Sequence, residues 1–208
     1  MSSSETTSPT WLDLLDWRRQ VNDLYAEVRA RRAQDPAAAH RRWAERRSEL
    51  FRTHPQSPLP AEARGAFADL PVWPYDPALV FEGRVRTDLP EERRLIPSST
   101  GQDLPLVRFG RAEFGGHGLD LYWIDVYGGG VFVPFRDATS GHESYGGGRY
   151  LLDTVKGADL GSAPSGDLVL DFNFAYHPSC FYDPRWSCPL APAGNVLDIA
   201  VRAGERAG

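Results

Sequence analysis

Six prolines between His54 and Pro77 (Pro55, Pro58, Pro60, Pro71, Pro74 and Pro77) divide this 208-residue chain into two parts of different period. Proline lacks a backbone N–H and has a fixed φ, so no regular helix or interior strand runs through such a stretch. Residues 54–77 therefore read as an ordered linker. Before it, apolar residues recur at helical spacing; after it, they alternate.

In the first part, Thr10 and Asp13 match a capping box, in which hydroxyl and carboxylate take up free backbone N–H groups. Trp11, Leu14, Leu15, Val21, Leu24, Tyr25 and Val28 then predict an amphipathic helix over residues 11–33. Asp35-Pro36 is a second start signal, an acid at the cap and a proline where its missing N–H costs nothing. Trp43, Arg47, Leu50 and Phe51 share a face of that helix, which should end near Thr53. Residues 10–53 thus read as a helical arm, preceded by a Ser/Thr-rich disordered tail over residues 1–9.

Beyond the linker, Val80, Glu82, Arg84 and Arg86 alternate with Phe81, Gly83 and Val85. Further strands are predicted at Leu104 to Phe114, Leu119 to Tyr127, Val131 to Phe135, Tyr150 to Val155, Leu168 to Phe174 and Val196 to Val201. Gly and Asp clusters separate them, and no helical pattern intervenes, which excludes βαβ units. The expected fold is mainly β (α+β): an antiparallel β barrel or sandwich of about seven strands over residues 78–206, preceded by two N-terminal amphipathic helices. The pattern leaves barrel and sandwich open.

Apolar residues at 41% and aromatics at 12% suffice for one globular core. The net charge of -5 argues against a nucleic-acid partner. Residues 1–64 hold 11 Arg against 9 Asp and Glu, so the acidity lies in the β part. That asymmetry lets one half dock on the other, or on a second subunit as a homo-oligomer. No basic-then-apolar leader is present, and no run reaches the ~18 apolar residues of a membrane span. A cytoplasmic protein with no membrane partner is expected. Two cysteines in such a chain read as free thiols or as a metal or redox site, ahead of a structural disulfide.

Polar, glycine and cysteine residues concentrate between Phe135 and Pro189. The first constellation packs Arg136, Asp137, His142, Glu143, Tyr145 and Arg149 among glycines that allow close backbone approach. It is not a P-loop, because Gly147 stands where the phosphate lysine is needed. Its other reading is a long solvated hairpin with structural ion pairs. In the second, Asp171, Asn173 and Ala175 share one face of a strand, where they either line a cavity or brace the next loop. His177, Cys180 and Cys188 make a three-ligand set sufficient in number for zinc, but without a paired Cys-x-x-Cys unit. No cofactor is expected. No Gly-x-Ser-x-Gly elbow occurs, so Ser99, Ser140 and Ser144 read as turn residues. Arg41, Arg42, Arg46, Arg47 and Arg52, interleaved with Glu45 and Glu49, read as a salt-paired solvated helix face.

The combined motifs resemble a known family. Trp17-Arg18, His54-Pro-Gln-Ser-Pro-Leu59, Phe135-Arg-Asp-Ala-Thr-Ser-Gly141, Tyr145-Gly-Gly-Gly-Arg-Tyr150, Asp171-Phe-Asn-Phe-Ala-Tyr176, Cys188-Pro-Leu and Ala203-Gly-Glu205 look like the bacterial domain of unknown function 1684. The resemblance covers roughly residues 11 to 206. It departs at His177-Pro178, where the family pattern has Asn-Pro, which weighs against a ligand role for His177. It implies two helices and a β domain as one unit, and no established activity.

Three functions remain in view. In the first, the β domain binds a small polar or anionic molecule and acts on it or merely holds it. Arg136 and Arg149 would hold the anionic group, with Asp137 beside them. Glu143 or Asp171 would be the acid/base candidate, and Tyr145 and Asn173 would orient the ligand. In the second, a non-catalytic protein oligomerises through its helical arm. In the third, His177, Cys180 and Cys188 hold a metal.

Overall fold

The computed structural model describes residues 9–208, so the tail expected over residues 1–9 lies, but for Pro9, outside the described residues. Helix α1 (Trp11–Arg32) opens with the capping box: Thr10 Oγ1 accepts from the Asp13 N–H at 3.1 Å, and the Asp13 carboxylate accepts from the Thr10 N–H at 2.7 Å. Val21, Leu24, Tyr25 and Val28 form its buried stripe. Helix α2 (Pro36–Thr53) starts on the Asp35 cap and ends where His54, preceding Pro55, turns extended. It buries Ala39, His40, Trp43, Arg47, Leu50 and Phe51. The indole of Trp43 is fully buried and donates to the Tyr25 hydroxyl at 3.3 Å, tying the two helices together. A short helix, α3 (Ala61–Arg64), interrupts the proline-rich linker.

The described residues then form seven strands: β1 (Val80–Arg86), β2 (Glu92–Pro97), β3 (Asp103–Phe114), β4 (His117–Ile124), β5 (Val131–Phe135), β6 (Arg149–Asp153) and β7 (Leu168–Asp171). All pair antiparallel in the order β6-β5-β4-β3-β1-β7, with β2 on the free stretch of β3. Past β7, Tyr176 bridges back to Tyr150 of β6, so the sheet curls into a nearly closed barrel. The β5–β6 ladder slips beside Pro134, a bulge where the missing N–H breaks no regular pairing. A last helical turn, α4 (Ser179–Tyr182), follows the barrel.

Two strand assignments differ from the alternation. Glu92–Pro97 pairs along β3 although its sequence, Glu-Arg-Arg-Leu-Ile-Pro, is half charged; as an edge strand it buries only Ile96 among its apolar residues. Residues Val196 to Val201 form no strand beyond a single bridge from Val196 to Arg136. Strand β7 also stops earlier than expected, because the Asp171 carboxylate takes the Asn173 N–H and turns the chain into a 3-10 helix, Phe172–Phe174.

The helical arm lies on the barrel as one body with it. Val21, Leu24, Tyr25, Val28, Ala39 and Trp43 join the same apolar cluster as Leu119, Phe132, Tyr150 and Phe172. A buried ion pair clamps the arrangement. Arg47 Nη2 and Nε meet Glu205 Oε1 at 2.6 and 2.9 Å, with the guanidinium against Trp43, Phe51 and Tyr176. The second Glu205 oxygen accepts from the His177 N–H at 2.7 Å and the Tyr182 hydroxyl at 2.8 Å. One carboxylate thus joins the arm, the C-terminal tail and the approach to α4. Among the described residues, no helix is long and apolar enough to cross a membrane.

Exchanging Glu205 for Gln leaves Arg47 buried without its counter-charge. The variant should lose about 3–5 kcal/mol in chemical denaturation; a loss below about 1 kcal/mol, the scale of an exposed pair, would show that the pair is not the clamp.

Candidate functional site

The glycine loop between β5 and β6 holds the C-terminal tail, which runs without regular structure from Asp198 onward. Arg149 is fully buried: Nη1 donates to the Ala203 and Glu205 carbonyls at 2.5 and 3.1 Å, and Nη2 to the Val201 carbonyl at 2.7 Å. Nη2 also reaches Asp137 Oδ1 at 3.2 Å. Asp137 in turn accepts from the Val201 N–H at 2.7 Å and from Thr139. Gly148, at φ +94°, lets the loop close down; a Cβ there would meet the Phe135 carbonyl oxygen at 2.4 Å. Glu143 lies outside this group, exposed and paired with Arg202 at 2.8 Å. The backbone of Arg136 bonds to Asn195 and Leu197, while its side-chain Nε is buried without a partner.

Asp171 and Asn173 lie elsewhere and brace the linker. The Asn173 amide accepts from the Asp76 N–H at 2.8 Å and donates to the Asp76 carbonyl at 2.9 Å. Asp171 supports that amide at 2.9 Å. Its other oxygen has no hydrogen-bond partner, the Arg32 guanidinium standing 4.0 Å away, and burial raises its pKa.

Tyr145 gathers the remaining candidates. Its N–H donates to His177 Nε2 at 3.2 Å, and its hydroxyl lies 3.8 Å from Cys180 Sγ. The Cys180 N–H donates to Cys188 Sγ at 3.3 Å. His177, Cys180 and Cys188 do not converge as a ligand set, and among the described residues no group of three or more His, Cys, Asp or Glu is placed to hold a metal ion. Burial lowers the His177 pKa to about 4, so the ring is neutral near pH 7. Because Nε2 accepts, Nδ1 carries the proton. It is buried, 3.8 Å from Glu205 Oε2, and has no hydrogen-bond partner.

His177 lines a cavity of about 50 Å3 in the seam between the arm and the barrel. Trp17, Tyr25 and Arg47 wall it from the helices, and Tyr150, Lys156 and Tyr176 from the barrel. Arg18 fastens α1 to this rim through the Val155 carbonyl at 2.6 Å. Lys156 lines the cavity with a half-exposed side chain, Nζ standing 3.8 Å from Asp153. Tyr25, pushed up to about 12 by burial, keeps its proton and accepts from Trp43, which leaves its O–H to donate. The seam thus offers a few donors around a small space otherwise walled by aromatic and apolar side chains such as Trp17, Val21 and Phe51.

The family model of a protein of unknown function, DUF1684, matches residues 65–206 of the chain. The chain belongs to this family. The DUF1684 match contains the whole barrel, Arg149, His177 and Glu205, while α1, α2 and Arg47 precede it. A solution NMR structure, that of the uncharacterized protein from gene locus rrnAC0354 of Haloarcula marismortui, is 30% identical with a TM-score of 0.55. That likeness covers 95% of this chain and 98% of that chain, so it extends over the arm as well. Among curated proteins none matches.

Within this DUF1684 chain, most residues singled out by sequence thus fall into three groups: Asp137 with Arg149, Asp171 with Asn173, and Tyr145 with His177 and the cysteines; Arg136 and Glu143 join none of them. The seam residues Tyr25, Arg47, Lys156 and Tyr176 were not among them. One signal was present: an arginine at position 47 on the Trp43–Phe51 face asks for a buried acid.

The different placements of Arg149 and Glu143 can be separated by substitution. Arg149→Met strands Asp137 and three carbonyls and should cost about 3–5 kcal/mol in urea denaturation. Glu143→Gln should leave the urea midpoint close to that of the parent. Equal, small effects would mean that Arg149 is not the tail's anchor.

Proposed function

We propose that the protein binds a small molecule with a carboxylate- or phosphate-like head in the seam between the helical arm and the barrel. The observation that carries this reading is His177, a residue of the cavity wall whose buried Nδ1–H has no acceptor. An unmet buried donor costs about 1–3 kcal/mol, and an anionic oxygen would relieve it. Half-exposed Lys156 supplies a mobile charge, and Tyr25 a hydroxyl. A volume near 50 Å3 suits the head of such a molecule, with the rest leaving past Lys156.

A larger groove of about 680 Å3 beside the β3–β4 turn fits this role less well. Two of its polar side chains already have partners: Arg111 meets Asp120 at 2.7 Å, and His117 stands 3.6 Å from Asp198. The reading assigns binding and no reaction, since neither Glu143 nor Asp171 lines the seam. Cys180 and Cys188 as free thiols fit the reducing interior of a cell, and the cytoplasm is our reading of where it works.

The test is thermal unfolding with inorganic phosphate, acetate and glycolate as probes, on the parent, Lys156→Ala and His177→Gln. The glutamine oxygen can still take the Tyr145 N–H. At least one probe should raise the parent's Tm, and both variants should unfold cooperatively without that rise. No shift with any probe, or a shift that survives in both variants, would overturn the reading.

A further inference from the structure

Cys180 and Cys188 do not line the seam cavity, although Tyr150 and Lys156 of its wall lie between cavity and pair. The Cys188 sulfur accepts the Cys180 N–H at 3.3 Å, and the two thiols are within hydrogen-bonding reach of each other. The two are unequal in access: Cys180 is half-buried, whereas Cys188 is 1% exposed. Their supports differ as well. Cys188 is fixed from below, its N–H donating to Ser99 Oγ at 3.1 Å and its carbonyl accepting the Ser99 N–H at 2.8 Å. Cys180 Sγ faces the Tyr145 hydroxyl at 3.8 Å.

We propose that Cys180 and Cys188 form a redox-active dithiol that exchanges with low-molecular-weight disulfides, Cys180 attacking and Cys188 resolving. The Cys180 thiolate attacks one sulfur of a disulfide RSSR, forming a mixed disulfide and releasing one RS⁻. Cys188, giving up its proton, attacks the Cys180 sulfur, closes the internal disulfide and releases the second RS⁻. The balance is one protein dithiol and one RSSR to one protein disulfide and two RSH, so two electrons pass to the small disulfide.

The surroundings fit that division of labour. An attacking thiol must be reachable and ionised, and a resolving thiol must be held close and out of reach of other oxidants. Hydrogen bonding from the Cys188 thiol, with further help from Ser99 and Tyr145, brings the Cys180 pKa down to about 6. The same contact pushes Cys188 up, with burial adding to it. Tyr145 is raised to about 12 by burial, so it keeps a proton to donate to the thiolate. Tyr150 and Lys156 are the other titratable groups facing the pair. Closing the bond would tie α4 to the Ser98–Pro189 bridge at the end of β2.

Reduced full-length protein, treated with excess oxidised glutathione and then alkylated, gives the decisive reading by intact mass. The expected product is lighter by two hydrogens, carries no glutathione and takes up no alkylating agent. Cys188→Ser should instead keep one glutathione on Cys180. Iodoacetamide labelling of Cys180 in the reduced parent should be half-maximal near pH 6, and higher in Cys188→Ser. A parent that keeps two alkylatable thiols, or accumulates the unresolved glutathione adduct, overturns the proposal. So does a labelling midpoint near the ordinary thiol value of about 8.5.

Discussion

Glu205 and Arg47 meet in the interior where the helical arm, the C-terminal tail and the approach to α4 come together. Desolvating such a pair costs several kcal/mol per ion, which only good geometry offsets. Here the carboxylate accepts from the guanidinium, a backbone N–H and a tyrosine hydroxyl, and three aromatic rings surround the guanidinium. The pair fixes where α2 sits on the barrel. Trp17, Tyr25 and Tyr176 are thereby brought to face one another across the seam.

The tail explains much of the polar density that marks the glycine loop. A segment without helix or strand still carries an N–H and a C=O at nearly every residue, and buried ones need partners. Arg149 serves three tail carbonyls and Asp137 a tail N–H; the Ala138 and Glu143 backbones serve others. The proline-rich stretch is held in the same way, with Trp73 bonded to Gly204 and Arg206 to Pro71. Charged side chains clustered near glycines therefore mark a chain crossing in this fold as readily as a ligand site.

Local rules carried well from sequence to structure. The Thr10–Asp13 box, the Asp35-Pro36 start and the stop before Pro55 all depend on neighbours a few residues away. The β character was legible from alternation, but the barrel depends on the Tyr150–Tyr176 bridge, which no local period contains. Strand β2 was hidden because an edge strand needs one partner and little apolar surface. The same limit applies to the site. Asp137 and Arg149 are twelve positions apart and their pairing was within reach, whereas Arg47 and Glu205 are separated by 158 positions. The seam is assembled from residues of four separate segments, so its donors had no common signature in the sequence.

The five histidines sample the molecule at separate places: His177 in the seam, His117 in the open groove, His142 on the glycine loop, and His40 and His54 on or beside α2. A long-range 1H–15N NMR spectrum of the imidazoles, recorded while phosphate or acetate is added, therefore reports where an anion settles. Binding in the seam predicts that the His177 Nδ1 and Nε2 signals move together and saturate while His117 and His142 stay in place. Movement confined to His117 or His142, with His177 unchanged, would contradict it.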